Sequence, residues 1–290
     1  MRWLVTGARG QLGTDLHRLL AERPGEEVLA VGSSELDVAD RVAVADAVAR
    51  FQPDVVVNCA AYNAVDQAET DPAAAHRVNA VGPALLAAEA ARSGAKLIHI
   101  STDYVFDGTA VEPYPVDAPT NPRSAYGRSK ADGEQAVREL APDHGYVVRT
   151  SWVYGAHGNN FVKTMARLER SNETLNVVDD QTGAPTWTYD LAGRLIDLAA
   201  GDYPPGIYHC TGRGRTTWFG FTRAIFAELG KDPERVQPTT TDKFPRPAPR
   251  PAFSVLSDAE WLAAGLPPMM EWREALAAAF AADGSAYLPD

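Results

Sequence analysis

Along the first 150 residues, short runs rich in valine, leucine and isoleucine alternate with longer stretches whose apolar positions recur every three or four residues. The runs "RWLVTG", "EVLAVG", "DVVVNCA" and "KLIHIST" are nearly continuous in apolar character, the pattern of strands buried on both faces. Residues 11–22, 42–51 and 73–92, which lie among these runs, carry helical periodicity. Alternation of strand and helix predicts a parallel sheet covered on both faces, because each parallel strand is reached through a crossover. A further helix is predicted over 125–140, followed by "GYVVRTSWVYG", a strand running into a polar loop with a glycine. From about residue 160 the rhythm loosens. Helices are predicted at 161–171, 189–199 and 217–229, and short strands and the proline-rich "KFPRPAPRPAF" interrupt them. The expected fold is α/β: a doubly wound parallel sheet formed mainly by residues 1–155, with room for later segments to rejoin it, and a smaller C-terminal α/β lobe formed mainly by 156–290.

Composition narrows the partners. With 45% hydrophobic and 22% charged residues the chain can bury a full core. A formal charge of −11 disfavours nucleic acid and anionic membrane, so a small molecule is the expected partner. The apolar run of "MRWLVTGARGQLG" is too short for a signal peptide, and no stretch approaches the roughly 20 apolar residues of a membrane span, which together predict a cytoplasmic protein. The two cysteines, Cys59 and Cys210, are far apart and outside any CxxC, and the six histidines form no ligand spacing; neither a disulfide framework nor a metal site is expected. His99, inside "LIHIST", reads as a packed histidine. Oligomeric state stays open between monomer and homodimer.

The first loop changes the picture. "VTGARGQLG" follows the first strand and opens the first helix, spacing Gly7, Gly10 and Gly13 as GxxGxxG. Glycines there let a pyrophosphate approach backbone N–H groups at the helix N-terminus, so the sheet is expected to be a Rossmann-like dinucleotide site. An NAD-preferring site places an acid at the end of the second strand to hold the ribose hydroxyls. Here Gly32, Ser33 and Ser34 stand in that place, and Arg9 can reach the same region. A guanidinium flanked by hydroxyls suits a 2′-phosphate, which favours NADPH. The alternative, Glu35 turned inward to serve NADH, stays open.

"SAYGRSK" places Tyr126 four residues before Lys130, on one face of a predicted helix. Reducing a carbonyl takes a hydride on carbon and a proton on oxygen; a phenol is a reluctant donor unless a nearby ammonium stabilises its phenolate. Lys130 is therefore expected to lower the pKa of Tyr126 and to hold the nicotinamide ribose. Thr102, at the end of the fourth strand, is expected to align the substrate oxygen. In the second lobe, Trp152 is a candidate platform for a sugar. Arg246 and Arg250 are weak candidates for phosphate contacts against a default of solvated arginines. Trp187, Trp218, Trp261 and Trp272 read as core or lobe-interface anchors, and Asp66 and Glu69 as acids favouring the dipole of their own helix.

These pieces together resemble the extended short-chain dehydrogenase/reductase superfamily, and within it the reductases that form dTDP-L-rhamnose. The resemblance rests on "VTGARGQLG", "PDVVVNCAAYNAVDQAE", "LIHISTDYVFDG", "NPRSAYGRSKADGE", "VVRTSWVYG" and "VVDDQTGAPTWTYDLA", and it covers both lobes. It implies reduction of the C4 ketone of a dTDP-4-keto-6-deoxyhexose by Thr102, Tyr126 and Lys130. It implies cofactor contacts from Gly10, Gln11, Leu12, Asp37, Val38, Ala60, Ala61, Tyr62 and Asn63, and substrate contacts from Val65, Asp103, Tyr104 and Trp152. Asn63 and Gln67 stand where the family more often has threonine and lysine, a departure that bears on which sugar is accepted. An epimerase or dehydratase shares the fold, but Tyr104 follows Asp103 where a dehydratase carries a second acid. A non-catalytic nucleotide-binding subunit is the remaining alternative, opposed by the intact Thr, Tyr and Lys.

Overall fold

The computed structural model describes residues 1–288. The first half runs β1 (Arg2–Thr6), α1 (Gln11–Ala21), β2 (Glu27–Val31), α2 (Arg41–Phe51), β3 (Val55–Asn58), α3 (Val65–Ala68), α4 (Pro72–His76), α5 (Gly82–Ser93), β4 (Lys96–Thr102), α6 (Ala125–Leu140) and β5 (Gly145–Thr150). The second half runs β6 (Val153–Tyr154), α7 (Phe161–Ser171), β7 (Leu175–Val178), β8 (Thr182–Gly183), β9 (Thr186–Trp187), α8 (Thr188–Ala200), β10 (Gly206–His209), β11 (Thr216–Thr217), α9 (Trp218–Glu228), β12 (Val236–Thr239), α10 (Ala259–Ala263) and α11 (Trp272–Tyr287). The central sheet has six strands in the order β10, β5, β4, β3, β1, β2, every pair parallel.

Alternation along the strands divides the core. Trp3, Val5, Val55, Val57 and Ile98 face α1, α8 and Trp261 of α10. Leu4, Val56, Leu97 and Val147 face α2, α5 and α6 on the other side. Residues 188–209 thus return to the sheet, supplying a covering helix and an edge strand. A third cluster, built around Tyr154, Val162, Phe221, Ile225 and Leu276, forms the core of the smaller lobe.

The helix expected over 73–92 forms, but it is not α-helical throughout. A π-helical turn, Arg77–Val81, separates α4 from α5. Pro83 has no N–H to bond the carbonyl of Asn79, and the wider turn directs Asn79 inward. Its Oδ1 accepts from the backbone N of Tyr62 at 2.8 Å, and its Nδ2 donates to the carbonyl of Tyr62 at 3.1 Å and to Ser129 Oγ at 3.0 Å. One buried amide therefore ties the loop after β3 to α6.

Candidate active site

The loops after β1, β3, β4 and β5 converge at the carboxyl ends of their strands, where open α/β sheets bind ligands. Gly7 adopts φ +66°, and a Cβ there would lie 2.5 Å from the backbone N of Ala60. Only glycine lets this loop and the β3 loop approach so closely. Gly10 caps α1 without a side-chain bond, so the helix N-terminus presents free N–H groups to the cleft. This cradle fits a dinucleotide pyrophosphate.

Two cavities meet over it. One, of about 420 Å³, is lined by Gly7, Arg9, Gly10, Ser33, Asp37, Val38 and the Ala60 to Asn63 loop. The other, of about 340 Å³, is lined by Gln11, Leu12, Gly13, Val65, Thr102, Asp103, Tyr104, Tyr126, Lys130 and Trp152. Gly10, Cys59, Ala61 and Asn63 line both. Every residue expected at the site borders one cavity or the other except Ser34, which lies outside both. Arg9 lines the same cavity as Ser33, but its Nη2 donates to Glu35 Oε1 at 2.8 Å, and Glu35 Oε2 accepts the backbone N of Gly32 at 2.7 Å. These two bonds hold the Glu35 carboxyl below its usual range. Arg77, which no motif marks in the sequence, lines the same cavity and pairs with Asp37, lowering that carboxyl too.

The helix α6 carries the proton-transfer candidates. Ser124 caps it by accepting the N–H of Gly127 at 3.0 Å, and Glu69 Oε1 accepts the N–H of Ala125 at 2.7 Å. Glu69 thus secures the start of the tyrosine helix rather than its own. A Cβ at Gly127 would stand 2.2 Å from the carbonyl of Tyr104, so α6 presses backbone to backbone against the loop after β4. Tyr126 and Lys130 are both buried. Tyr126 Oη makes a long 3.5 Å bond to Asn63 Oδ1, and its ring meets Tyr104 edge to face at 5.6 Å. Thr102 Oγ1 donates to Asp103 Oδ1 at 2.9 Å. Burial raises the Asp103 carboxyl to about 6.

The expected lowering of the phenol by the lysine does not appear here. Burial pushes Tyr126 up, opposed in part by the neighbouring Thr102 hydroxyl. Lys130 Nζ donates instead to the carbonyl of Ile100 at 2.6 Å, and burial lowers its pKa to about 8. Behind it, Glu134 forms a bidentate pair with Arg149, at 2.9 and 2.7 Å, that the sequence reading did not find.

Trp152, at the end of the β5 loop, takes φ +46°, a conformation a non-glycine residue holds only where its surroundings fix it. Its indole stacks on Trp218, centroids 3.4 Å apart and planes 5° from parallel. Trp218 is therefore a cavity wall as well as an anchor against the smaller lobe's core. Both indoles also line a cavity of about 710 Å³ between the lobes, with Asp66, Tyr104, Arg246 and Arg250. Arg250 is no solvated arginine: Nη2 donates to Asp66 Oδ2 at 2.9 Å, fastening the proline-rich run to α3.

A dinucleotide cradle opening onto a buried tyrosine and lysine on one helix is the architecture of short-chain dehydrogenases and reductases. The family described as RmlD substrate binding domain matches residues 1–284, and the chain belongs to it. It is 53% identical over 285 residues to dTDP-4-dehydrorhamnose reductase of Streptomyces griseus, covering 97% of this chain and 93% of the relative. It is 52% identical over 284 residues to the probable dTDP-4,6-dihydroxy-2-methyloxan-3-one 4-ketoreductase of Streptomyces antibioticus, covering 97% and 95%. The crystal structure of dTDP-4-dehydrorhamnose reductase from Bacillus anthracis in complex with NADP superposes with a TM-score of 0.93 at 38% identity, covering 97% of this chain and 99% of that one.

Proposed function

We propose that this chain reduces the C4 ketone of dTDP-4-dehydro-L-rhamnose to dTDP-L-rhamnose with NADPH. The observation that carries the reading is the junction of cavities: Tyr126 and Thr102 stand where the cofactor cradle meets a chamber walled by Trp152 and Trp218. A bound nicotinamide dinucleotide supplies the hydride. Gly10, Ala61 and Asn63 orient it, Thr102 aligns the ketone oxygen, and Tyr126 gives that oxygen its proton while the ketone carbon receives the hydride. Lys130 then restores the proton to Tyr126. The cavity between the lobes is suited to the nucleotide, with aromatic walls for a base and Arg246 and Arg250 for phosphates. Among the described residues no helix is long and apolar enough to cross a membrane, and no cluster of side chains suits a metal ion. We take the enzyme to act in the cytoplasm, as a monomer or homodimer.

The test is turnover. Purified protein is given NADPH and the dTDP-4-keto sugar, and cofactor oxidation and C4 stereochemistry are followed. Tyr126→Phe should lower kcat by about 10²- to 10⁴-fold, since it removes the proton donor; full activity in that variant refutes the assignment. A second reading, reduction of a related dTDP-4-keto-6-deoxyhexose, is supported by the 52% identity to the Streptomyces antibioticus ketoreductase. A panel of such ketosugars decides between the two by kcat/KM.

A further inference from the structure

Behind the catalytic cavity lies a buried chain of polar side chains that the reaction as proposed does not use: Thr6, Asn58 and His99, leading to Lys130. Its directions are set by one backbone donor. The N–H of Ala60 approaches Asn58 Oδ1 at 3.2 Å, and Thr6 Oγ1 approaches the same oxygen at 2.7 Å. A backbone N–H only donates, so the oxygen of the Asn58 amide is the atom on that side and the nitrogen is the atom on the other. That nitrogen lies 3.0 Å from His99 Nδ1. An amide nitrogen has protons and no available lone pair, so Nδ1 must accept. Burial holds His99 neutral, which leaves the ring's single proton on Nε2. Nε2 faces Lys130 Nζ at 3.5 Å.

We infer that His99 is a positioning residue for Lys130, pinned by Asn58 in the tautomer that turns an N–H toward the lysine nitrogen. The inference rests on the ketone reduction proposed above. An ammonium finds no acceptor in that N–H, whereas a neutral amine offers it a lone pair. The ammonium form is thus disfavoured from behind, and its protons are left for the carbonyl of Ile100 and for the cavity. The other groups facing Lys130 do not reverse this. The Cys59 thiol, from the end of β3, is pushed up to about 12 and stays neutral. On α6 itself Tyr126 is a neutral phenol, and Glu134, which favours the ammonium, is held by Arg149. Burial and the facing Nε2–H thus both favour the amine form of Lys130. After Tyr126 protonates the substrate oxygen, Nζ passes one proton to the phenolate, becomes the amine that His99 favours, and recovers a proton from solvent through the cavity. The sum is one proton from water to the alcohol, with the hydride supplied by the cofactor.

Two measurements test it. The alkaline limb of the pH profile of kcat/KM marks loss of the proton from Lys130. His99→Gln sets an amide beside Nζ that can turn its oxygen toward an ammonium, raising the lysine pKa, so the limb should move up by roughly one pH unit. A merely structural histidine predicts lower activity with the limb in place, and a limb that stays or moves down overturns the inference. The second measurement needs no variant and no turnover: in protein labelled with ¹⁵N-histidine, the two ring-nitrogen shifts of His99 should report the Nε2–H tautomer. A proton on Nδ1 overturns the inference even where His99→Gln fails to fold. Wild-type protein that turns over no dTDP-4-keto sugar would instead refute the proposed function, leaving the tautomer to be judged on its own.

Discussion

The pair between Glu134 and Arg149 joins the tyrosine helix to β5, and replacing Arg149 by methionine probes what that join contributes. Both side chains are almost wholly buried, at 4% and 2% exposure. Arg149→Met removes two charge-assisted bonds to Glu134, and it also removes a donor to the carbonyl of Val116 at 3.1 Å. Of the hydrogen bonds to Glu134, the one from Ser101 Oγ remains. A carboxylate left buried with one donor costs about 3–5 kcal/mol relative to the intact pair. The double replacement Glu134→Leu with Arg149→Met leaves no orphaned charge and should lie within about 2 kcal/mol of wild type, because two desolvation penalties disappear with the attraction. Urea unfolding of the wild type, both single variants and the double variant, compared at constant m-value, gives the coupling energy directly. A cost below about 1 kcal/mol for Arg149→Met, or a double variant whose loss equals the sum of the singles, would refute the reasoning.

Two further outcomes follow from pairings around the cavities. Glu35→Gln frees Arg9 from its carboxylate partner. Because the pair is exposed, the ratio of kcat/KM for NADPH over NADH should rise by only about 2- to 5-fold, and an unchanged or reduced ratio in steady-state assays would remove Arg9 from the 2′-phosphate site. Trp218→Ala removes the face against which Trp152 stacks; KM for the nucleotide sugar should rise by up to about 10-fold with NADPH affinity unchanged, checked by parallel titrations of both ligands.

Much of this was legible in the chain because the governing signals are local. A parallel strand buried on both faces announces itself in "DVVVNCA" and "KLIHIST", and GxxGxxG at a strand-to-helix turn has few other uses. Tyr126 and Lys130 are legible by spacing and Thr102 by its place at a strand end, and the structure brings the three to one cavity. What escaped depends on distant segments. Arg250 looks like any surface arginine until the fold sets Asp66 beside it, 184 positions earlier in the chain. Trp218 fits helical core periodicity equally well whether or not its outer face borders a cavity. The setting of Lys130 is not legible in the chain, because the sequence supplies a lysine but not its direction, and Nζ turns to the Ile100 carbonyl. The π turn had no periodic signature at all, since one extra residue simply blurs the pattern on either side.

That turn also constrains how the gene can change. A π turn holds one residue more than an α turn, so deleting one residue between Arg77 and Val81 would close it into regular winding and remove the wide turn that directs Asn79 inward. Asn79 would leave Tyr62 and Ser129, and the loop beside the cofactor cavity would lose its tie to α6. Most surface helices tolerate a shift of frame by sliding. Here, length is itself the conserved quantity to look for: across functional variants of this chain, substitutions in the segment should outnumber single-residue insertions and deletions, whatever the identity of the exposed side chains.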